Sequence, residues 1–348
     1  MTTRLAFDLP PALEARGPAE ARGLARDGVR MMVAHRGSGE LVHATFRDLP
    51  DHLREGDLVV INTSATIPAA LHGVTEAGEH IAVHLSTKLM ADRWVVEFRR
   101  LTGTGSKTER WTTDAAVPAR VALGEGAWTD LIGPYHDSDR LFVVRLTLPQ
   151  RDLDWLAANG QPIRYQYVNN AWPVEAYQNV YATVPGSAEM PSAGRPFTPE
   201  VITRLVAKGV GVAPIVLHTG VASLEADEMP YPERVKVSPT TAALVNTTRE
   251  NGGRVIAIGT TVVRALESAA DTYDHVEPYD GWTELTITPE RGVRVIDGLL
   301  TGWHEPEASH LLMLEAIAGR DLLEKSYDAS LAEGYLWHEF GDVHLIVP

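Results

Sequence analysis

The sequence predicts an α/β protein in which a three-layer α/β domain, discontinuous in sequence, carries an inserted antiparallel β-barrel. After residue 165, segments with helical periodicity alternate with short apolar runs, which is typical of a sheet covered by helices. Between residues 69 and 164, short strand-like runs are separated by glycine-containing turns, and helical periodicity is weak. The N-terminal runs again have strand character. We therefore expect residues 1–68 and 165–348 to form the α/β domain and residues 69–164 to form the β-barrel-like insert.

The N-terminal segment contains three predicted strands. Arg30–His35 is an apolar run, and the Gly37-Ser38-Gly39 sequence that follows is typical of a hairpin turn, so residues 41–46 should form the returning strand. Residues 57–62 are almost continuously apolar, which indicates a strand buried on both faces. Asn62 would then lie at the carboxyl end of a central strand.

The other predicted elements follow from the same periodicities. Strands of the insert are expected at residues 80–85, 94–98, 119–123 and 141–148. In the C-terminal part we expect helices at residues 199–208, 239–251, 262–270 and 309–318, and strands at residues 211–217 and 254–259. Helices and strands that alternate in this way favour a largely parallel sheet, which the N-terminal strands would join.

Composition indicates a globular chain and excludes several chemistries. Of 348 residues, 44% are apolar and 22% are charged, which is enough apolar material for a sizeable core. No apolar run approaches the roughly 20 residues of a membrane helix, and the N-terminus has no apolar run typical of a secretory signal. We therefore expect a cytoplasmic protein without a membrane partner. We also expect a monomer. Cysteine is absent, which excludes disulfides, thiolate metal sites and cysteine nucleophiles.

The charge balance and the histidines bear on possible ligands. A formal charge of −15 argues against non-specific binding to nucleic acid, although it does not exclude a local basic patch. The basic residues of the insert alternate with acidic ones, which favours a solvated mixed face over an RNA track. Thirteen histidines are present, but none forms a metal-binding pair at helical spacing, so we expect no metal site.

The segment from residue 254 to 268 is the best-defined candidate binding unit. A buried strand should turn at Gly259 into a helix capped by Thr260 or Thr261, and a helix amino terminus suits a carboxylate or phosphate. Arg264 and Glu267 share one helical face. The alternative is purely structural, with threonine as a cap and an Arg264–Glu267 ion pair.

A loop rich in proline and glycine is the second candidate. Tyr177 and Tyr181 precede it and could stack on a base, and Ser192-Ala193-Gly194 lies within it. Thr198 should cap the following helix, with Pro199 at the first helical position. Both tyrosines could equally be core residues whose hydroxyls are hydrogen-bonded.

Two histidines occupy suggestive positions. His218 follows an apolar strand and precedes Thr219-Gly220, at the kind of strand end where α/β proteins bind ligands. His304 lies in a loop before a predicted helix. Either histidine could be a structural residue instead.

Taken in order, these segments resemble the S-adenosylmethionine:tRNA ribosyltransferase-isomerase family along nearly the whole chain. The motifs that carry the resemblance are Phe7-Asp8-Leu9-Pro10-Pro11, Gly56-Asp57-Leu58-Val59-Val60-Ile61-Asn62, Tyr177-Gln178, Pro185-Gly186-Ser187, Ser192-Ala193-Gly194, Leu217-His218, Gly259-Thr260-Thr261, Leu266-Glu267-Ser268-Ala269 and Gly341-Asp342. The resemblance implies an α/β layer interrupted by a β-barrel, which agrees with the pattern of the chain.

The resemblance also implies a reaction. S-adenosylmethionine would donate its ribosyl unit as a co-substrate to 7-aminomethyl-7-deazaguanine in tRNA, epoxyqueuosine would form with release of adenine and methionine, and no metal would be needed. On this basis we expect catalysis by the side chains of His218, His304 and Glu267. We expect binding by Asn62, Tyr177, Tyr181, Ser192, Ala193, Gly194, Gly220, Gly259, Thr260, Thr261 and Arg264.

The sequence departs from the family pattern in loops around this predicted site. Asn62-Thr63-Ser64-Ala65 replaces Asn-Asp-Thr-Arg, Arg195-Pro196 replaces Leu-His, and residues 302–310 exchange a cation for carboxylates. These changes identify a divergent member. They leave two alternatives to the tRNA reaction: cleavage of S-adenosylmethionine or transfer from it to a small molecule, and a non-catalytic nucleoside-binding relative.

Overall fold

The computed structural model describes residues 5–102, 107–111, 116–221 and 230–348. Its strands, in chain order, are β1 (Arg30–His35), β2 (Leu41–Thr45), β3 (Leu58–Asn62), β4 (Ser64–Thr66), β5 (Ala70–Thr75), β6 (His80–Lys88), β7 (Arg93–Thr102), β8 (Lys107–Arg110), β9 (Arg120–Gly124), β10 (Ala127–Pro134), β11 (Leu141–Thr147), β12 (Val184–Ser187), β13 (Gly211–His218), β14 (Glu233–Val237), β15 (Val255–Ile258), β16 (Tyr279–Thr283), β17 (Gly298–Gly302) and β18 (Val343–Val347).

The helices are shorter in total than the strands and lie mostly in the C-terminal half. They are α1 (Leu49–His52), α2 (Asp152–Asn159), α3 (Pro199–Ala207), α4 (Pro239–Glu250), α5 (Thr260–Ala269), α6 (Ser309–Ala318) and α7 (Arg320–Ala332). In the part of the chain that the structure describes, no helix has the length and apolar character that spanning a bilayer requires.

A large mixed sheet forms the centre of the α/β domain. Its order is β16-β14-β13-β3-β15-β17-β18-β1-β2. Neighbours from β13 to β17 are parallel, as are β18 and β1, whereas the β17–β18 pair and the pairs at both edges are antiparallel. The prediction of a largely parallel sheet therefore holds for the centre, and the antiparallel β1–β2 edge is the predicted hairpin. The antiparallel strands β14 and β16 at the other edge were not predicted.

Helices cover both faces of this sheet and make the domain three-layered, as predicted. Alternate residues of β3 show why: Leu58 and Val60 pack into one core, and Val59 and Ile61 pack into the other. The first core takes apolar residues from α4, α5, α6 and α7, and the second takes them from α1 and α3.

The insert forms an antiparallel barrel. Its strands follow the order β11-β10-β9-β5-β6-β7, and the β7–β11 pairing closes the ring, while β8 extends from β7. All of these strands fall within the predicted insert, residues 69–164, although its boundaries stay a prediction. A separate apolar core fills the barrel and is joined by Trp155 and Leu156 of α2.

The start of α5 differs from the prediction in one respect. Thr198 caps α3 as expected, by accepting a hydrogen bond from the N–H of Val201. The cap of α5, however, is Gly259 and not Thr260 or Thr261. Gly259 has φ +91° and ψ 155°, a conformation that favours glycine, so the helix begins one residue earlier than a threonine cap would allow.

Candidate active site

A cavity of about 230 Å³ lies where the central parallel strands end. Residues that follow β13, β15 and β17 converge on it, as expected for a ligand site in an α/β sheet. Ser86 and Thr87 of the barrel strand β6 also line it, so both domains contribute to one site. Of the predicted binding and catalytic residues, those in its wall are Ser192, Ala193, Gly220, Gly259, Thr260, Thr261, Arg264 and His304.

The amino terminus of α5 forms one wall of this first cavity. The backbone at Gly259 turns directly from β15 into the helix, and a Cβ at this position would lie 3.4 Å from the Cβ of Ala193. No side chain caps the helix within the described residues. Backbone N–H groups of the first turn are therefore available to an anion, and the helix dipole adds a partial positive charge.

Arg264 is held one turn further along α5, and its partner differs from the predicted one. Its guanidinium forms an ion pair with Glu233 of β14 and donates to the carbonyl oxygens of Leu285, Tyr231 and Thr283. Glu233 also accepts a hydrogen bond from the N–H of Gly220 at 3.1 Å. Burial raises the pKa of Glu233, while Arg264 and the Gly220 N–H oppose that rise. The arginine thus ties α5 to the cavity wall.

A second cavity of about 180 Å³ adjoins the first. The two share wall residues that include Glu189, Ser192, His304 and His310. The second cavity is lined by aromatic rings and carboxylates, and Tyr177 forms part of its wall. The shared residues make it a continuation of the first cavity, so a ligand in one would lie beside a ligand in the other.

His304 lies between the two cavities and is held in a fixed orientation. Its Nε2 is 2.9 Å from the hydroxyl oxygen of Thr301, and its ring stacks on His310 with centroids 4.6 Å apart. Burial, together with the neighbouring His310, His338 and His344, lowers the pKa of His304 well below its usual value. Burial likewise lowers the pKa of His310 to about 4. Both rings are therefore neutral at pH 7.

His218 and Asn62 lie behind the first cavity and do not line it. The Nδ1 of His218 is 2.7 Å from the hydroxyl oxygen of Ser64, and its ring packs against Gly186, where a Cβ would come within 2.5 Å. Asn62 is 1% exposed and bonds to both the N–H and the carbonyl oxygen of Leu217. These two residues fasten β3, β12 and β13 together beneath the site.

Glu267 lines neither cavity. It lies near the carboxyl end of α5, whereas the amino end of this helix borders the first cavity. Its carboxylate accepts hydrogen bonds from the N–H groups of Arg294 and Val295, both at 2.8 Å, and pairs with Arg291 at 3.0 Å. The side chain is 2% exposed. Glu267 therefore anchors the loop before β17, and the structure gives no support to the predicted catalytic role or to a pair with Arg264.

Tyr181 and Gly194 form a packing contact outside the cavities. A Cβ at Gly194 would lie 2.0 Å from the hydroxyl oxygen of Tyr181, whose ring packs edge-on against Phe197. This arrangement matches the structural alternative for Tyr181. Tyr177 has features of a core residue and of a binding residue. It is 4% exposed and packs against Phe340, and it also borders the second cavity.

Several wall residues of the second cavity were not predicted from the sequence. They are Tyr165, Tyr167, Glu189, Glu305, His338 and Glu339. The hydroxyl of Tyr167 donates to Glu339 at 2.6 Å across 172 positions of sequence. Neither residue lies in a recognisable motif. In the described ranges no cluster of three or more potential metal ligands is found.

The departure at residue 195 has a structural explanation. Arg195 is 4% exposed and pairs with Glu20 at 2.9 Å, and its Nε donates to the carbonyl oxygen of Ala176. Its guanidinium also lies 5.2 Å from the ring centroid of Phe340. The arginine therefore fills the interior behind the Ser192–Gly194 turn and does not reach the cavities.

Comparison with known proteins identifies the family. A sequence model described as "Queuosine biosynthesis protein" matches residues 2–346. The chain is 37% identical to the S-adenosylmethionine:tRNA ribosyltransferase-isomerase of Symbiobacterium thermophilum and 35% identical to that of Desulfitobacterium hafniense, over 98% of each chain. The crystal structure of the S-adenosylmethionine tRNA ribosyltransferase from Thermotoga maritima has a TM-score of 0.56 and 29% identity, covering 99% of this chain and 100% of that one.

These matches define an enzyme of the transferase-isomerase class associated with queuosine synthesis and tRNA modification. The chain belongs to the S-adenosylmethionine:tRNA ribosyltransferase-isomerase family. The resemblance of its motifs is thereby confirmed, and so is the predicted fold with its inserted barrel.

Proposed function

We propose that this chain transfers and isomerises the ribosyl unit of S-adenosylmethionine onto 7-aminomethyl-7-deazaguanine in tRNA, forming epoxyqueuosine. In this reaction the sulfonium acidifies the adjacent carbon, the amine attacks the ribose, and adenine and methionine leave. S-adenosylmethionine acts as a co-substrate. The expected cytoplasmic location and monomeric state remain predictions.

The observation that carries this proposal is the pair of adjoining cavities with His304 between them. A ribosyl transfer needs a donor and an acceptor side by side, with a proton acceptor at the point where they meet. Two compartments that share the neutral, buried imidazoles of His304 and His310 meet this requirement. We therefore assign the donor to the first cavity and the acceptor base to the second.

The first cavity has groups suited to the methionine part of the donor. The amino terminus of α5, at Gly259, Thr260 and Thr261, would receive the carboxylate. Glu189 and Glu233 add carboxylates on other walls, where an ammonium or sulfonium would be attracted. Because Arg264 is paired with Glu233, we assign it to positioning that carboxylate.

His304 is the side chain that we assign to proton transfer. It borders both compartments, its burial keeps it neutral, and Thr301 fixes its orientation. His218 is assigned to supporting the first cavity through Ser64. Ser192 and Ala193 line the first cavity beside Gly259 and would contact the nucleoside.

Transfer to a small molecule is a second candidate, and one observation favours it. The second cavity is lined by Glu189, Glu305 and Glu339, and the chain has a formal charge of −15. Carboxylates near the acceptor site would repel RNA phosphates, which proteins normally bind with lysine and arginine. A free base or nucleoside would not meet this repulsion.

One experiment separates the two candidates. The protein is incubated with S-adenosylmethionine alone, with tRNA carrying 7-aminomethyl-7-deazaguanine, with the same tRNA unmodified, and with the free base; adenine and methionine are then quantified. Release that requires the modified tRNA supports the first proposal. Release with the free base, or with S-adenosylmethionine alone, supports the second.

A further inference from the structure

A stack of aromatic rings forms one side of the second cavity. The rings of Tyr165 and Tyr167 lie nearly parallel at 13°, with centroids 5.6 Å apart. His338 stacks on the other face of the series, 3.9 Å from Tyr167 at 11°. All three residues line the cavity. Because the rings cover one another's faces, a flat aromatic ligand would contact the edges or the end of this stack.

Carboxyl groups surround this wall. Glu189, Glu305 and Glu339 line the cavity, and its wall contains no lysine or arginine within the described residues. Burial lowers the pKa of His338 to about 4, so this imidazole is uncharged at pH 7 and does not offset the carboxylates. A ligand that brings positive charge is favoured here, because it stabilises the ionised form of these carboxyl groups.

Glu339 has one oxygen committed and one available. Its Oε2 accepts the hydrogen bond from the hydroxyl of Tyr167 at 2.6 Å. Its Oε1 is buried and has no hydrogen-bond partner in the part of the chain that the structure describes. A buried carboxylate oxygen left in this state is destabilising unless a ligand supplies the missing donor.

We infer that the second cavity binds the acceptor as a flat base carrying a protonated amine, held against the stack of Tyr165, Tyr167 and His338, and that Glu339 accepts a hydrogen bond from that amine. This inference rests on the proposed function for the identity of the base. It makes Glu339 the residue that distinguishes an aminomethyl base from a neutral one. The protonated amine satisfies Oε1, and the rings hold the base plane.

The test uses two free bases and does not depend on turnover. Binding of 7-aminomethyl-7-deazaguanine and of 7-methyl-7-deazaguanine, which lacks the amine, is measured by calorimetry on the full chain. We expect the wild type to prefer the aminomethyl base by about 10-fold or more, since hydrogen bonds to charged groups are among the strongest. Glu339→Gln should abolish most of this preference and leave affinity for S-adenosylmethionine unchanged.

Two further variants keep the test decisive. Tyr167→Phe retains the ring but removes the donor to Glu339, so it should weaken binding of the aminomethyl base less than Glu339→Gln does. Glu250→Gln is the matched control. Glu250 is exposed at the end of α4, so its substitution makes the same chemical change outside the cavity. It should behave as the wild type.

Each outcome distinguishes the inference from the proposed function. No measurable binding of the aminomethyl base, equal affinity for both bases in the wild type, or an effect of Glu339→Gln on S-adenosylmethionine alone would overturn the inference even if the enzyme turns over. Amine-dependent binding that Glu339→Gln removes, in a protein that never releases adenine, would support the inference and contradict the proposed function.

Discussion

Burial sets the protonation state of individual side chains that line the two cavities. His304 and His310 are kept neutral, whereas burial raises the pKa of Glu339 to about 7. A carboxyl group that titrates near neutral pH is suited to exchanging protons with a substrate at pH 7. Glu267 instead accepts hydrogen bonds from the N–H groups of Arg294 and Val295 and lines neither cavity.

Replacing His304 should separate chemistry from binding. We expect His304→Gln to lower turnover by about 100-fold while S-adenosylmethionine still binds, because general acid–base catalysis contributes on this scale. His218→Ala should instead lower stability by about 1 kcal/mol through loss of its Ser64 hydrogen bond, with a smaller effect on turnover. Single-turnover rates and calorimetric affinities measure the effects on chemistry and binding, and urea unfolding measures the loss of stability. Undiminished turnover in His304→Gln would refute the assignment.

Glu339 should also make stability depend on pH. Its pKa is about 7 in the folded chain against an ordinary value of 4.5, so between these values the folded state holds a proton that the unfolded state has lost. The free energy of unfolding therefore falls as pH rises through this window. We expect Glu339→Gln to stabilise the protein by up to about 3 kcal/mol at pH 8 and by far less at pH 5. Urea unfolding at both pH values measures this, and an equal change at the two would contradict it.

At the level of elements, the β15–α5 turn carries the first cavity. Gly259 allows the strand to enter the helix without a capping side chain, so the first turn of α5 faces the cavity. Arg264 and Glu233 then tie this helix to β14. The position of the helix terminus is thus fixed by a backbone conformation and one buried ion pair.

Gly259→Ala tests this element. A side chain at φ +91° is strained, and we expect a loss of roughly 1–3 kcal/mol in stability together with weaker binding of S-adenosylmethionine. Gly37→Ala is the control, because a Cβ at Gly37 would meet no atom within 4 Å. Thermal unfolding and calorimetry measure the two effects. Wild-type affinity in Gly259→Ala would show that the helix terminus does not hold the donor.

Local sequence predicted those elements whose signals are local. The Thr198-Pro199 start of α3 and the continuous apolar run of β3 are examples, since a cap and a doubly buried strand each leave a pattern within a few residues. The aromatic wall of the second cavity could not be predicted from local sequence. Tyr167 meets Glu339 and His338 through the fold alone, because Glu339 lies 172 positions away from it in the sequence.

For the whole molecule, the site depends on two domains and on widely separated parts of the chain. The sheet supplies the strand ends and the α5 terminus, the barrel supplies Ser86 and Thr87, and the C-terminal segment supplies His338 and Glu339. The chain has the fold of its family, as its similarity to the Thermotoga maritima structure shows. The formal charge of −15 and the carboxylates of the second cavity make the acceptor the part of the reaction that most needs measurement.

The most direct measurement is the release of adenine from S-adenosylmethionine as a function of the acceptor offered. We predict that adenine and methionine appear together, in equal amounts, when tRNA carrying 7-aminomethyl-7-deazaguanine is present, and that unmodified tRNA gives none. Equal release with unmodified tRNA, or no release with the modified tRNA, would contradict the proposed transfer.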